Sequence, residues 1–591
     1  MFRSQRSLGL LVVLGLVAGA CSGGGDTSGR GTSNEDVQLS ADVPQGGTLR
    51  LVGSADVDFM DPAAMYATLS WFLARGVFRT LVTYPGNVTD LDEQNELVPD
   101  LAASVGEPNA DNSRWTYTLK PGVTYGPALG NESVSGVTGE PIVCEDFRYT
   151  FERLFVDAVG AGYPFYYDMI EGAEEFSNGD ADEIAGIECP SPDTIVFNLT
   201  EPVGDWDFRM AMPAASPVPR GAAERYDTRE DSNYDNHVVA TGPYYIEEWE
   251  PAERITLARN PDWDPSTDEV RHAYVDAVDW RMGFENDVAI QSIVDDEYDV
   301  TLDIRPSGPA LENVLSDPEL TERLIVEPDG CNRFVYMNTT VEPFDDAAVR
   351  AAVNVAIDRE NLLRIIGGST RGEIATSILP PGIEGALGPE EFNPYETPNM
   401  AGDIERARQM LADAGYPDGF DGDLLMVGAS GEPDARLLES VRVDLEALGF
   451  SDIEAKPVAS PNHYTQYYSI PEKNVAIGTS PGWCKDYNSA VSFFDPLFRS
   501  SSILESGNNN FSEVDDPRLD GLIDEAAAES DPRERIEKWA EANRYATEQA
   551  YFVPWLWQNA AILQSSRVVN GYFFGFTANI DWVNVGVRSS S

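Results

Sequence analysis

Pro433-Asp434-Ala435-Arg436-Leu437-Leu438-Glu439-Ser440-Val441-Arg442-Val443-Asp444-Leu445-Glu446-Ala447-Leu448-Gly449 sets apolar side chains at 437, 438, 441, 445 and 448. That spacing predicts a helix with one buried face, stopped by the glycine. A short strand-like run follows it. The same pattern stands just upstream, where Asp403 starts a helix carrying Ala407, Met410, Leu411 and Ala414 before Gly415. Helix followed by strand, twice over, makes this half of the chain an alternating α/β structure.

Working back from there, Asp345 or Asp346 caps a helix with Val349, Ala352, Val353, Ala356 and Ile357 on one face. A second begins near Asp358, carries Leu362, Leu363 and Ile366, and ends at Gly367-Gly368. The first half reads differently. Gly47–Val52, Trp115–Leu119, Thr194–Leu199 and Ile255–Ala258 are strand-like, and one helix opens at Glu145-Asp146 with Phe147, Thr150, Phe151, Leu154 and Phe155 inward. A helix from about Pro532 to Ala550 precedes an aromatic, strand-like tail, Tyr551 to Val587.

The 591 residues hold 100 acidic and 40 basic side chains, a formal charge of −60. Such a field repels phosphate backbones and excludes nucleic acid as a partner. The first twenty residues stand apart. Arg3 and Arg6 precede an apolar run, Leu8 to Val17, too short to span a bilayer and typical of a secretory signal. Leu16-Val17-Ala18-Gly19-Ala20-Cys21 resembles a bacterial lipobox, which implies cleavage before Cys21 and acylation of that residue. Residues 21–44, rich in Gly, Ser, Thr and Asp, are expected to be a flexible tether. The implied location is the extracytoplasmic face of the plasma membrane, held by lipid.

Four further cysteines remain: Cys144, Cys189, Cys331 and Cys484. An even number in an exported chain suggests two disulfides, and four cysteines allow three pairings. Cys144–Cys189 and Cys331–Cys484 is the favoured set, because it keeps each bridge within one candidate domain. Zinc is the poorer reading, with no C-x₂₋₄-C pair and only His237, His272 and His463 in the chain.

Seven blocks then stand in a familiar order: Gly46–Leu49, Leu97–Ala102, Asp146–Arg153, Thr241–Tyr244, Pro343–Asp346 with Val349-Arg350, Ala356–Arg359, and Gly482–Asn488. With them the chain resembles the family 5 extracellular solute-binding proteins, the oligopeptide- and dipeptide-binding components of ABC importers. The resemblance implies an α/β, two-lobed periplasmic-binding-protein-like fold (type II, cluster C) with an extra subdomain. Lobe I would be 45–325, with the subdomain near 86–204, lobe II 326–552, and 553–591 a return to lobe I. It also implies hinged closure on a ligand, permease subunits as partners, and a monomer.

By the same resemblance Asp486 matches the position that holds a peptide's α-amino group, with Trp483, Cys484 and Tyr487 beside it. Lys485 departs from the pattern and is a candidate to neutralise Asp486. The opposite wall is expected from Gly53–Asp61, with Ser54, Ala55 and Val57 as contacts; Arg333 and Arg371 are separate candidates for the ligand's carboxylate, with a surface or structural role as the alternative for each. Trp555, Trp557 and Tyr572–Phe574 read as core rather than groove. The family also serves nickel, haem and oligosaccharides, and a surface receptor on the same fold is a further alternative.

Enzyme readings lack support. Gly478-Thr479-Ser480-Pro481-Gly482 fits G-x-S-x-G, but proline follows the serine and no His lies beyond His463. No metalloprotease, nucleotide-loop or dinucleotide motif occurs, so no cofactor or metal is expected. Asp418–Asp423 lacks the later Glu of a calcium loop and reads as a turn.

Overall fold

A computed structural model describes residues 31–228, 231–460 and 462–589. The signal-like segment and Cys21 lie outside the described residues.

The stretch that opened the sequence reading forms the helix Asp434–Leu448, and Gly449 ends it at φ 121°. It joins the strand Leu424–Ala429 to its parallel neighbour Ile453–Val458, which is the βαβ geometry the alternation requires. Upstream, Asp346, Asp358 and Asp403 each accept a backbone N–H at the start of Ala347–Ala356, Arg359–Ile366 and Ile404–Asp413. These helices pack on one mixed sheet over a core that includes Val349, Val353, Leu411, Leu438, Leu445 and Trp555.

A second sheet holds the other lobe. Its order is Val300–Thr301, Thr48–Val52, Ala277–Arg281, Arg254–Arg259, Tyr244–Glu250, with Thr48–Val52 parallel to both neighbours. A four-stranded sheet, Glu107–Pro108, Arg114–Thr118, Thr194–Asn198 and Ile187–Ser191, carries the helix Cys144–Leu154 as a separate layer. The chain is thus a two-lobed α/β protein with an added layer.

Two long antiparallel strands, Leu324–Met337 and Phe552–Leu563, run from one lobe into the other. At one end Leu324, Val326, Ala561 and Leu563 pack with Val52 and Ala289 of the first lobe. At the other, Val335, Met337, Val553 and Trp555 belong to the second core. Their register breaks between Pro328 and Asn332 and again between Arg333 and Phe334. Beyond the crossing, the tail returns to the first lobe, where Trp582 packs on Phe72 and Tyr244.

Cys144 is bonded to Cys189 and Cys331 to Cys484. Buried charge is paired within the lobes. Asp100 binds Arg79 (2.7 Å) and Arg271 (2.8 Å), and Arg153 binds Asp61 (2.6 Å) and Asp227 (2.8 Å).

One expectation needs correction. The tether was expected to run to residue 44, yet Asn34 is buried, exchanges hydrogen bonds with the Phe573 backbone (2.7 and 2.8 Å), and donates its own N–H to Glu327. Thr32 bridges Ile325, Ser40 meets Asn570, and Val43 is buried. Composition hid this, because polar side chains and main-chain groups do the docking. Among the described residues no helix is long and apolar enough to cross a membrane.

Candidate functional site

The block Gly482–Asn488 leaves the crossing strands as the short strand Gly482–Cys484. Trp483 N donates to Asn332 Oδ1 (3.2 Å), its indole Nε1 donates to Ser492 O (2.7 Å), and the Cys331–Cys484 bridge fixes the edge. Tyr487 and Asn488 then plunge into the opposite side. Tyr487 is fully buried and donates to Asp205 Oδ2 (3.1 Å), while Asn488 bonds Asn95. Between these two anchors Lys485 and Asp486 are presented to a cavity of about 220 Å³.

The walls come from both lobes. Gly482, Trp483, Cys484, Lys485 and Asp486 form one side, with Asp329 and Cys331 of the crossing strand beside them. Facing them are Tyr66, Thr68 and Trp71 at the start of the helix Thr68–Val77, Tyr163 of the added layer, and Phe576 and Ala578 of the tail. Tyr66 stacks on Tyr163 at 4.9 Å, and Trp71 meets Tyr163 and Phe576 edge-on or tilted at 5.6 and 5.3 Å. These rings face a polar floor across the cavity.

Asp486 is the group to explain. Its Oδ2 accepts from Tyr166 Oη at 2.5 Å, and Tyr163 Oη lies 3.4 Å from Oδ1. Among the described residues no Lys or Arg pairs with it. Burial pushes its carboxyl up to about 6, and the two phenols only partly offset that. The phenols themselves are pushed above their ordinary range by burial and by the Asp486 charge, so they stay neutral donors. Asp486 keeps part of its surface on the cavity while protein encloses the rest. A carboxylate held this way, with two acceptor positions left, suits a cation entering the cavity.

Lys485 does not neutralise Asp486. Its stem lies on Gly330, where φ is +78° and a Cβ would sit 2.7 Å from Lys485 Cδ, so only glycine leaves room. The charge it faces is Asp329. Asp329 sits in the register break and is pushed by burial up to about 6. Burial in turn brings Lys485 down to about 8.

The anticipated second wall is corrected. Ser54 and Ala55 are exposed and tied to Asp303, and Val57 is buried in the lobe core; none of the three lines the cavity. The wall starts about ten residues later, at Tyr66, because the intervening loop folds back on Asp58 and Asp235. Tyr487 is near the site but inside the protein, behind Asp486. Arg333 is spent on Asp434 and on Ser480 O (3.2 Å). Trp555, Trp557 and Tyr572–Phe574 are buried in the cores. Ser480 Oγ accepts the Ala429 N–H (2.8 Å) at a strand end, where no helix follows to form a nucleophile elbow. Among the described residues no three His, Cys, Asp or Glu side chains converge as a metal site.

Sequence reasoning missed Tyr163, Tyr166 and Asp329. The only signal for the first two was their density in Tyr163-Pro164-Phe165-Tyr166-Tyr167.

Comparison with known proteins gives a consistent picture. A family model described as bacterial extracellular solute-binding proteins, family 5 (middle), matches residues 96–504. The periplasmic oligopeptide-binding protein OppA of Salmonella typhimurium is 23% identical over 93% of this chain and 94% of its own. Heme-binding protein A of Haemophilus influenzae is 25% identical over 85% of this chain and 86% of its own. Among solved structures, clavulanic acid biosynthesis oligopeptide binding protein 2 superposes with a TM-score of 0.85 at 29% identity, covering 95% of this chain and 99% of that one.

Proposed function

The chain belongs to the bacterial extracellular solute-binding proteins of family 5, and from that premise we propose that it captures peptides between its lobes for an ABC importer. That family is one of binding proteins, not enzymes. In this reading Cys21 carries the lipid that holds the protein at the extracytoplasmic membrane face, and residues 31–44 lead from that anchor onto the body. The lobe boundaries expected at 325/326 and 552/553 would move to the register breaks of the crossing strands, where the hinge would lie, because Val326 packs with the first lobe and Val553 and Trp555 with the second.

One observation carries the proposal: Asp486 is an unpaired, half-desolvated carboxylate in an interlobe cavity walled by aromatic rings. A peptide's ammonium loses its water on entry and needs a fixed counter-charge. Asp486 supplies it, Tyr163 and Tyr166 keep the carboxylate aimed, and ring faces add affinity for the cation. OppA of Salmonella typhimurium and clavulanic acid biosynthesis oligopeptide binding protein 2, both oligopeptide binders by name, support a peptide over other solutes. Haem, which the Haemophilus relative is named for, suits this cavity poorly. None of its lining residues is His, the common axial ligand of haem iron.

The test is native mass spectrometry of the purified protein. A ladder of peptide masses is expected; a single sugar, metal or haem mass would replace the proposal with another ligand class. Deleting the gene should abolish uptake of the same peptides.

The pH dependence has a definite sign. Above about 6 Asp486 is ionised and takes an ammonium; below it the proton competes. Peptide affinity should therefore fall by up to about tenfold per pH unit as pH drops below 6. Tyr163 and Tyr166 stay neutral throughout, Lys485 loses its proton only toward about 8, and Asp329 titrates in the same window on the Lys485 side. Calorimetry from about pH 4.5 to about 7 reads the slope. A flat profile would remove Asp486 as the ammonium site.

A further inference from the structure

We propose that Lys485 anchors the ligand's carboxylate, so that the cavity selects a short α-amino zwitterion of one or two residues. Its ammonium would rest on Asp486 and its carboxylate on Lys485 Nζ. The inference rests on the peptide reading above and narrows it.

The first support is that Lys485 lacks a counter-ion in contact. Among the described residues its Nζ has no hydrogen bond and no carboxylate within ion-pair distance. Asp329, the charge it faces, already has both oxygens engaged: Oδ1 takes the Cys331 N–H (2.9 Å) and Oδ2 takes Gln558 Nε2 (2.9 Å). An enclosed ammonium without a partner is a standing cost that an incoming carboxylate removes. The depressed Lys485 pKa has the same cause, burial.

The second support is the surrounding charge. Arg305 and Arg371 both feel Asp329, and burial lowers the pKa of each. Arg305 gives its guanidinium to the backbone oxygens of Leu302, Ile304 and Ala578, none of which carries charge. Arg305 also faces Asp303, so this end of the cavity sets three cations against two carboxylates, in a chain whose formal charge is −60. The Asp486 end has the opposite sign and only phenols around it. A cavity with separated ends of opposite sign matches a zwitterion and mismatches a peptide capped at either terminus.

The third support is size. A space of about 220 Å³ with equal sides is about 6 Å across. Extended chain covers roughly 3.3–3.6 Å per residue, so about two residues fit between the charged ends.

The test compares the purified wild-type chain with Lys485→Met, which keeps the apolar stem on Gly330. Probes are two equimolar mixtures of amino acids and dipeptides, one with free carboxylates and one of the C-terminal amides, read by native mass spectrometry. Wild type should retain free acids at least about tenfold over the matching amides. Lys485→Met should lose that preference and bind the free acids at least about tenfold more weakly, whereas Lys485→Arg should keep the preference. Within the free-acid mixture, the masses retained tell a single amino acid from a dipeptide. Equal binding of amides by wild type, or a preference that survives in Lys485→Met, overturns the assignment. Retention of only longer peptides overturns the size limit and leaves the peptide reading standing. Binding of no peptide or amino acid of any length sinks the reading beneath it.

Discussion

Asp486→Ala should weaken capture of a free-amine peptide by about 2–5 kcal/mol, roughly 30- to 4,000-fold in Kd. The loss arises on the ligand side. Without the carboxylate, a peptide ammonium enters the cavity and finds only phenol oxygens and ring faces. The unliganded protein should respond in the opposite direction. Its Asp486 carboxyl titrates near 6, above the ordinary value of 3.8. The folded state therefore binds this proton more tightly than the unfolded chain does. Stability from this group is present below the ordinary carboxylate pKa and is lost as pH rises through about 6. At pH 7 ionisation costs the apo-protein at most about 3 kcal/mol. Asp486→Asn, which keeps the shape, should melt at or above the wild-type temperature at pH 7 while binding poorly. Calorimetry with the peptide that wild type carries through purification, alongside thermal melts, checks both halves. Unchanged affinity would take Asp486 out of the site.

Asp100→Ala is the variant expected to damage the fold most. Burial alone would push the Asp100 carboxyl up, but the Arg271 and Arg79 charges and their hydrogen bonds outweigh it and hold it well below the usual range. Removing it leaves two buried guanidinium groups sharing Asp268 alone, at 3.2 and 3.7 Å. Breaking such a pair typically costs about 3–5 kcal/mol. The depressed pKa means this stability is present above the unfolded carboxylate pKa and disappears as pH falls through the folded one. Urea midpoints at pH 7 should drop sharply for Asp100→Ala and less for Asp100→Asn. Glu391→Ala, which breaks an exposed pair with Arg544 (2.7 Å), should change stability by under about 1 kcal/mol. Equal midpoints for Asp100→Ala and Glu391→Ala would refute the network's role.

The two variants also explain what the recognisable sequence blocks are for. Asp100 and Arg153 hold buried ion clusters. Arg350 donates to the Phe344 carbonyl (2.7 Å), and Arg359 reaches Pro554 O (2.8 Å). Such residues answer buried polar groups, and a fold fails quickly without them. Only the block at 482–488 touches the cavity. The features that made the family legible are therefore mostly the fold's own supports, with one stretch that lines the cavity.

Apolar spacing and capping residues determined the helices of the second half, because a helix face and its stops are encoded within some fifteen neighbouring positions. The order of the blocks determined the family, and with it the expectation placed on Asp486. The opposing wall escaped, since Tyr66 and Tyr163 are 97 residues apart, Phe576 lies 413 beyond, and they meet only when three segments fold together. The docking of residues 31–44 escaped for a related reason: main-chain and amide hydrogen bonds leave no apolar pattern to read. Whether Lys485 cancels Asp486 or stands apart from it was likewise undecidable from adjacency. Coulomb interactions depend on distance and burial in space, and the turn of the chain there sends one charge toward the phenols and the other toward Asp329.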